Sequence, residues 1–531
     1  MWHFEGHKVA WQNLQTNPKH WDVIVVGGGI TGAGIAREAA RRGLAVLLLE
    51  RQDFAWGTSS RSSKMVHGGL RYMAQGDFQT TRHSVHERER LLKEAPGLVD
   101  LMHYVMPHYR QQFPPAILFN LLLLCYDFFA GKRYRRYFTA KAYLERVPFL
   151  KKQGLNGVTQ FADAVTDDSR LVMRVLHEAV KDGATCLNYV AVTQLLKEQG
   201  QVTGVEIRNE LNQESLTVQA DVVINATGAW VDELRGQLNR PKKIRPARGS
   251  HVIIAAERLP VTESFTILHP DDKRPIFVYP WEGRTVLGTT DIDHGALGNT
   301  EASMSQKELE YLLKLTQIYF PQQKISAKDV IASFSGVRPL VSSGALNPSK
   351  EKRNHSVWLE DGLVSVSGGK LTTFRLIALD TLEKAKHRIK HWPNQRFPKT
   401  LFTPINFQSE LLNTLPQAIQ KRLLGFYGHQ AQDLLAYARV GELEQIQGLP
   451  ILWAELRWSL ANECVQHLDD LLLRRTRIGL LLEQGGEAVL SKVQELCRDE
   501  LGWDDARWQK EKARYQSIWQ AHYSLPVAKP N

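Results

Sequence analysis

A chain of 531 residues is enough for two or three domains, at roughly 100–200 residues each, and 43% hydrophobic with 23% charged residues is ordinary for a globular protein. The formal charge is +11, but residues 401–531 hold 14 Lys or Arg and 16 Asp or Glu, so the first 400 hold 53 and 40 and carry the whole excess, which suits an anionic substrate or lipid surface and equally suits plain solubility. The four cysteines form no CxxC pair, which argues against a disulfide framework or a cysteine-built zinc site, and no nucleic-acid motif accompanies the basic residues.

Met1–Lys19 is polar and lacks an apolar core with a small-residue cleavage site, so no secretory signal is expected. Trp21–Gly27 is a β-branched apolar run that reads as a buried parallel strand. Gly27-Gly28-Gly29-Ile30-Thr31-Gly32 follows it and fits GxGxxG: tight turn, close backbone approach to a pyrophosphate, and close helix packing. A helix over Gly34–Arg42, a turn at Gly43 and a second strand over Leu44–Glu50 complete a βαβ unit. Glu50 stands 18 residues beyond Gly32, where a carboxylate can hold a ribose hydroxyl pair, with Arg51 beside it. The motif serves NAD and FAD alike. With only one such motif, electrons must come directly from a substrate and leave to something other than NAD.

Thr58, Ser59, Ser60, Ser63 and Lys64 make a hydroxyl-rich loop, and residues 60–110 read as loop and helices rich in His and Arg. Ala116–Tyr126 is densely apolar but shorter than the ~17–25 residues of a spanning helix. Phe113–Phe129 with Lys132, Arg133, Arg135, Arg136 and Lys141 behind it matches either an interfacial anchor or a buried helix with a solvated basic turn. Val202–Arg208 and Ser215–Gln219 alternate as antiparallel strands, and Asp221–Asn225 is an apolar strand ending at Ala226-Thr227-Gly228. Residues 244–345 read as short strands and turns, and within them Asp271-Asp272-Lys273 and Asp291-Ile292-Asp293 offer too few oxygen ligands for a metal loop. Leu363–Ser367 is a further strand, ending in Gly368-Gly369. Pro393–Pro404 is the expected linker to a helical segment that includes Trp453–Gly479 and Gly486–Tyr515, in which Arg474-Arg475-Thr476-Arg477 reads as a salt-bridged helix face.

From Asp22 to Gly479 the chain resembles the FAD-dependent glycerol-3-phosphate dehydrogenases, within the wider D-amino-acid-oxidase-like flavoproteins. The resemblance rests on VVGGGITGAGIAREAARRGL (25–44), GTSSRSSKMVHGGLRY (57–72), RGSHVII (248–254), SGVRPL (335–340), GGKLTT (368–373) and DDLLLRRTRIGL (469–480). It implies an α/β fold: a Rossmann-like FAD-binding domain, an interleaved antiparallel-sheet substrate domain and an all-α C-terminal domain. The implied FAD part takes 20–110, 155–240 and 355–395, the substrate part 111–154 and 241–354, and the helical domain 400–531. It further implies non-covalent FAD, a quinone acceptor, peripheral attachment to the cytoplasmic face of the inner membrane, a homodimer, and no nucleic acid.

Oxidising a secondary alcohol requires a base for the hydroxyl proton, a clamp for the substrate and a dry site beside the flavin. By the resemblance, Arg71, Tyr72, Arg338 and Lys370 face a phosphorylated substrate, whose oxyanions guanidinium groups bind bidentately. His251 is the candidate base, kept neutral by neighbouring cations; Arg338 is the alternative catalytic group, stabilising the alkoxide. The hydroxyl-rich loop is expected along the flavin, where hydroxyls and Lys64 reach ring and phosphate oxygens. Val190, Ala226, Thr227 and Gly228 are expected at the cofactor, with Gly369, Lys370, Leu371 and Thr372 over its ribityl end. Three cations around one anion favour a phosphate over the carboxylate of an amino or hydroxy acid. An oxidase that reduces oxygen to hydrogen peroxide is the alternative for the acceptor.

Overall fold

The computed structural model describes residues 4–74, 76–342, 355–393, 397, 400–407 and 409–526. Helix α1 (Phe4–Thr16) precedes the expected unit of β1 (Trp21–Val26), α2 (Ile30–Ala40) and β2 (Val46–Leu49). All of β2 and all of β1 except Asp22 are buried, because helices cover one face of the parallel sheet while antiparallel strands over residues 190–218 cover the other together with α1. Helix α2 begins at Ile30, earlier than Gly34, since the glycine turn itself delivers the chain into the helix. Then come α3 (Leu70–Ala74), α4 (Phe78–Glu94), β3 (Val99–Tyr109), α5 (Ala116–Ala130), β4 (Leu155–Thr166) and α6 (Asp168–Lys181). The sheets are completed mainly by β5 (Ser215–Asn225), β6 (Ile244–Ala255), β7 (Arg284–Gly288), β8 (Val330–Val341) and β9 (Leu363–Ser367), after which α7 (Phe374–Ala385) packs on α2.

The described residues form two sheets. In the first, β9, β5, β1, β2 and Thr185–Leu187 run parallel in that order. The segments read as separate strands around Gln219 are one strand: β5 pairs antiparallel with Gln201–Asn209 at its start and parallel with β1 at its end. The second sheet is centred on β6, which lies between β8 and β7. It continues through Pro275–Trp281 and Ser264–Leu268 to β3 and β4. Here the structure departs from the expected division. β3 was read as helix and loop, and both β3 and β4 were placed with the cofactor part, yet they pair with each other over their full length inside the second sheet.

The C-terminal stretches Trp453–Gly479 and Gly486–Tyr515 were expected as helix. There α8 (Trp453–Asn462) is followed by a π-helical turn at Asp470–Arg475 and the short α9 (Ile478–Leu481), then α10 (Leu490–Leu501) and α11 (Asp505–His522). Gly502 ends α10 in a left-handed conformation, and Asp504 caps α11 through Arg507 N. Leu471, Leu472 and Leu473 enter the same apolar cluster as Ile253, Tyr279 and Phe334, so the C-terminal helices share a core with the second sheet.

Candidate active site

The GxGxxG turn joins β1 to α2. Gly27 adopts φ +111°, where a Cβ would lie 2.6 Å from Ala226 O, and a Cβ on Gly32 would collide with Gly27 O. Both positions therefore require glycine. Gly29 caps α2 without a side chain, leaving helix-terminal amides available to an anion. Ser59 Oγ accepts from Ile30 N at 2.9 Å, which ties the hydroxyl-rich loop to this helix end beside Thr31. Glu50 accepts from Gly28 N at 2.7 Å and Gln52 N at 2.8 Å. Burial raises its pKa, and the two amides lower it. Arg51 beside it pairs with Glu233 at 3.4 Å. Ala226 N donates to Val26 O, the Thr227 hydroxyl to Asn225 Oδ1, and Gly228, at φ +61°, accepts from Ser367 Oγ. Gly369 is at φ +85° next to Lys370 and Leu371, and Thr372 Oγ1 donates to His67 O at 3.0 Å.

Above this turn the hydroxyl-rich loop lies on the second sheet. Thr58 Oγ1 donates to Val337 O, and Tyr279 donates to Ser63 O at 2.7 Å. Ser63 Oγ lies 2.9 Å from His251 Nε2. His251 sits on β6 opposite Phe334 of β8 and Gly288 of β7. Its ring stacks on Phe334 at 4.6 Å and 7°, it is 1% exposed, and its Nδ1 has no hydrogen-bond partner. Burial first, then the charges of Arg338 and Lys64, hold its pKa well below that of a free imidazole.

Arg338 projects from β8 where Gly249 on the neighbouring strand leaves space; a Cβ there would collide with Arg338 Nη2. The guanidinium donates to Asp291 Oδ1 at 2.9 Å and Thr289 Oγ1 at 3.0 Å. Asp291, first considered as a metal-loop fragment, thus holds an arginine. Lys370 and Tyr72 form a second pair, with Nζ 3.5 Å from the ring centroid and 3.1 Å from Ser84 Oγ. Arg71 precedes Tyr72 in α3, and its side chain lies outside the described residues. Asp291 and Ser84 carried no local signal, since each meets its cation only through folding.

Residues 22–378 match the family described as FAD dependent oxidoreductase, and residues 385–508 match the C-terminal domain of alpha-glycerophosphate oxidase. An aerobic glycerol-3-phosphate dehydrogenase of Staphylococcus haemolyticus is 34% identical over 498 residues, 89% of each chain. The chain belongs to the family of FAD-dependent glycerol-3-phosphate dehydrogenases and oxidases. Another member, the alpha-glycerophosphate oxidase of Lactococcus lactis, is 30% identical across 95% of this chain and 96% of its own. The crystal structure of a Bacillus halodurans glycerol-3-phosphate dehydrogenase complexed with FAD superposes with a TM-score of 0.79, at 26% identity and full coverage of both chains.

The cofactor of this flavoenzyme is FAD. The run Gly27–Gly29, bare of side chains, the helix end that Gly29 opens without a side chain of its own and the Glu50 carboxylate fit its pyrophosphate and ribose. Two expected contacts are corrected by burial. Lys64 has no exposed surface: its Nζ reaches Asp168 at 2.9 Å and Ser60 O at 3.3 Å, so its charge braces the loop from behind and touches no ring or phosphate oxygen. Val190 is likewise enclosed and donates its amide to Glu50 O.

Proposed function

We propose that this flavoenzyme oxidises sn-glycerol 3-phosphate to dihydroxyacetone phosphate and passes the electrons to a quinone, working at the cytoplasmic face of the inner membrane. The observation that carries the membrane reading is the outer face of α5. Ile117 and Phe128 are 80% and 81% exposed, and Leu121 and Leu124 lie between them at helical spacing, while Phe119, Leu123 and Tyr126 pack inward. One face of the helix is thus covered by the protein, and the exposed face supports the interfacial reading. An exposed apolar stripe of this length, flanked by Lys132, Arg133 and Arg136, matches a helix lying in a lipid interface. No helix among the described residues is long and apolar enough to cross a membrane.

Bound FAD would supply the acceptor for the hydride of the secondary carbon. Arg338, Lys370 and Arg71 supply positive charge for the phosphate and for the oxygen that becomes the carbonyl. His251, neutral at physiological pH, receives the hydroxyl proton at Nε2 by way of the Ser63 hydroxyl, because the buried ring meets the site through that group. Base and alkoxide stabiliser are then complementary roles for His251 and Arg338. A pKa held below the ordinary imidazole value keeps the ring unprotonated as pH falls through about 6.5. The acid limb of kcat/KM is expected below that pH, and a limb at or above it in steady-state kinetics would remove His251 from the role.

The whole reading is tested by anaerobic absorbance: glycerol 3-phosphate should bleach the flavin and a soluble quinone should restore it. Failure to bleach overturns the substrate. Stoichiometric hydrogen peroxide in air, with no quinone reduction, would establish the oxidase instead, the reading favoured by the Lactococcus relative. For the membrane face, Arg133→Glu with Arg136→Glu should weaken sedimentation with anionic vesicles at least 30-fold, since each basic residue near such a surface contributes about 1 kcal/mol. Arg135 is left in place because it pairs with Asp127. Unchanged sedimentation would discard the lipid contact.

A further inference from the structure

The loop His67–Gly69 leads into α3 and so carries Arg71 and Tyr72, and it rests on a buried carboxylate that the reaction itself does not use. Asp163, on β4, accepts at Oδ1 from Gly68 N at 2.9 Å, from Tyr126 Oη at 2.6 Å and from Arg88 Nη1 at 2.6 Å. Arg88 is fully buried and also donates to Tyr126 Oη and to Ala162 O, each at 3.1 Å. The loop is seated without slack: a Cβ on Gly68 would collide with Tyr126 Oη and lie 2.6 Å from Val85 Cγ2. One residue on, a Cβ on Gly69 would lie 2.8 Å from the Tyr72 ring and 3.2 Å from Lys370 Nζ. The Gly68-Gly69 backbone is therefore clamped between Tyr126 on one side and the Tyr72–Lys370 pair on the other. Helix α4 ties the two sides together. Arg88, which holds Asp163, lies one turn after Ser84, whose Oγ receives the Lys370 ammonium at 3.1 Å.

We propose that Asp163, held by Arg88 and Tyr126, is a positioning residue that sets the 67–72 loop and the Lys370 ammonium at the distance the substrate phosphate requires. This rests on the reading of Lys370 and the loop as the phosphate clamp. The carboxylate touches neither substrate nor flavin. It acts by fixing where the Gly68 amide, and with it the backbone leading to Arg71 and Tyr72, can stand. Burial keeps the Tyr126 hydroxyl protonated, so it remains a donor throughout the working pH range. Three donors converging on one oxygen leave the loop a single position, whereas the loop's own glycines would allow many.

Tyr126→Phe removes one of those donors and adds no volume. In the holoenzyme it should raise KM for glycerol 3-phosphate five- to tenfold with kcat within twofold, the pattern of lost ground-state binding. Isothermal titration should show inorganic phosphate bound correspondingly more weakly, with the visible flavin spectrum and melting temperature unchanged. Asp163→Asn should act in the same direction and more strongly; if it fails to fold, Tyr126→Phe still decides. Lys370→Met separates the two claims. If it leaves KM and phosphate binding unaltered, the clamp itself is misplaced. If it raises both while Tyr126→Phe leaves both unaltered, the clamp stands and the positioning role is overturned. A parallel loss of kcat and flavin in Tyr126→Phe also overturns it, since that is general structural damage.

Discussion

Arg338→Gln is expected to lower kcat/KM for glycerol 3-phosphate by about 10²–10³, the cost of removing one preorganised charge from a site where charge develops. The preorganisation is visible in the partners. Asp291 and Thr289 hold two nitrogens of the guanidinium, and Gly249 leaves the space that it fills. A neutral side chain loses the attraction for the oxyanion and also takes from the buried Asp291 the nearer of its two cations, Arg338 at 2.9 Å against Arg274 at 4.0 Å. Arg338→Lys keeps the charge but not the two-point hold, and should recover only part of the loss. A second effect separates a local change from general damage. Arg338 lowers the pKa of His251, so its removal should move the acid limb of the pH profile upward, toward the ordinary imidazole value. A kcat/KM within tenfold of the parent, at full flavin occupancy, would take Arg338 out of the reaction.

What could be read from the sequence was local in character. The Trp21–Gly27 run, the three glycines and Glu50 lie within 30 residues and depend on one another through short-range geometry, so the cofactor turn was legible. β3 was not, because His103, Pro107 and His108 interrupt its apolar pattern, although His108 finds its partner in Thr159 of the adjacent strand. β4 carries Gln160 and Asp163, polar residues whose partners come from distant segments: Glu263 for the first, and Gly68, Arg88 and Tyr126 for the second. The α5 segment was ambiguous because it is apolar all round, and only the fold shows which side is covered. The run at Arg474–Arg477 reads as a salt-bridged helix face, and its arginines are ion-paired, but all three are buried: besides Asp469 and Asp470 nearby, they meet Asp53, Asp167 and Asp168, about 300 or more residues earlier in the chain.

Those counter-ions lead to the largest expected change in stability. Asp53, three residues past Glu50 at the end of the cofactor-binding strand, is fully buried. It accepts from Arg475 Nη1 at 2.7 Å and Nη2 at 2.8 Å, from Arg474 Nε at 2.5 Å and from Asn188 Nδ2 at 3.0 Å. Arg474 also meets Asp469 and Asp470, and Arg477 meets Asp167, Asp168 and the Ser60 carbonyl of the hydroxyl-rich loop. The C-terminal helices are thus bonded to the cofactor loop through buried charge. Asp53→Asn keeps the shape and removes the charge, which takes from Arg475 the carboxylate it bonds and from Arg474 one of the three that it bonds, all in a dry interior. Breaking a buried pair from one side costs about 3–5 kcal/mol, and at about 1 °C per kcal/mol for a chain of this length, unfolding as one unit, that lowers the melting temperature by roughly 3–5 °C. Because the network ends on Ser60, flavin release followed by fluorescence should shift by the same amount as the melting followed by circular dichroism.

The same group sets a pH dependence. Burial alone would raise the pKa of Asp53, but the charges of Arg475 and Arg474 outweigh it and depress the folded value below the ordinary carboxylate range. A depressed folded pKa contributes stability in full above the unfolded value near 4, and that contribution is lost as pH falls through the folded value. The parent protein should therefore lose stability steeply below about pH 4. Asp53→Asn, which has nothing to protonate, should show a shallower fall over the same interval, so that the two stabilities converge in acid. Parallel curves, or a variant within 1 kcal/mol of the parent at neutral pH in chemical denaturation, would mean that the interior tolerates those arginines without Asp53 and that the bond between the two parts of the chain lies elsewhere.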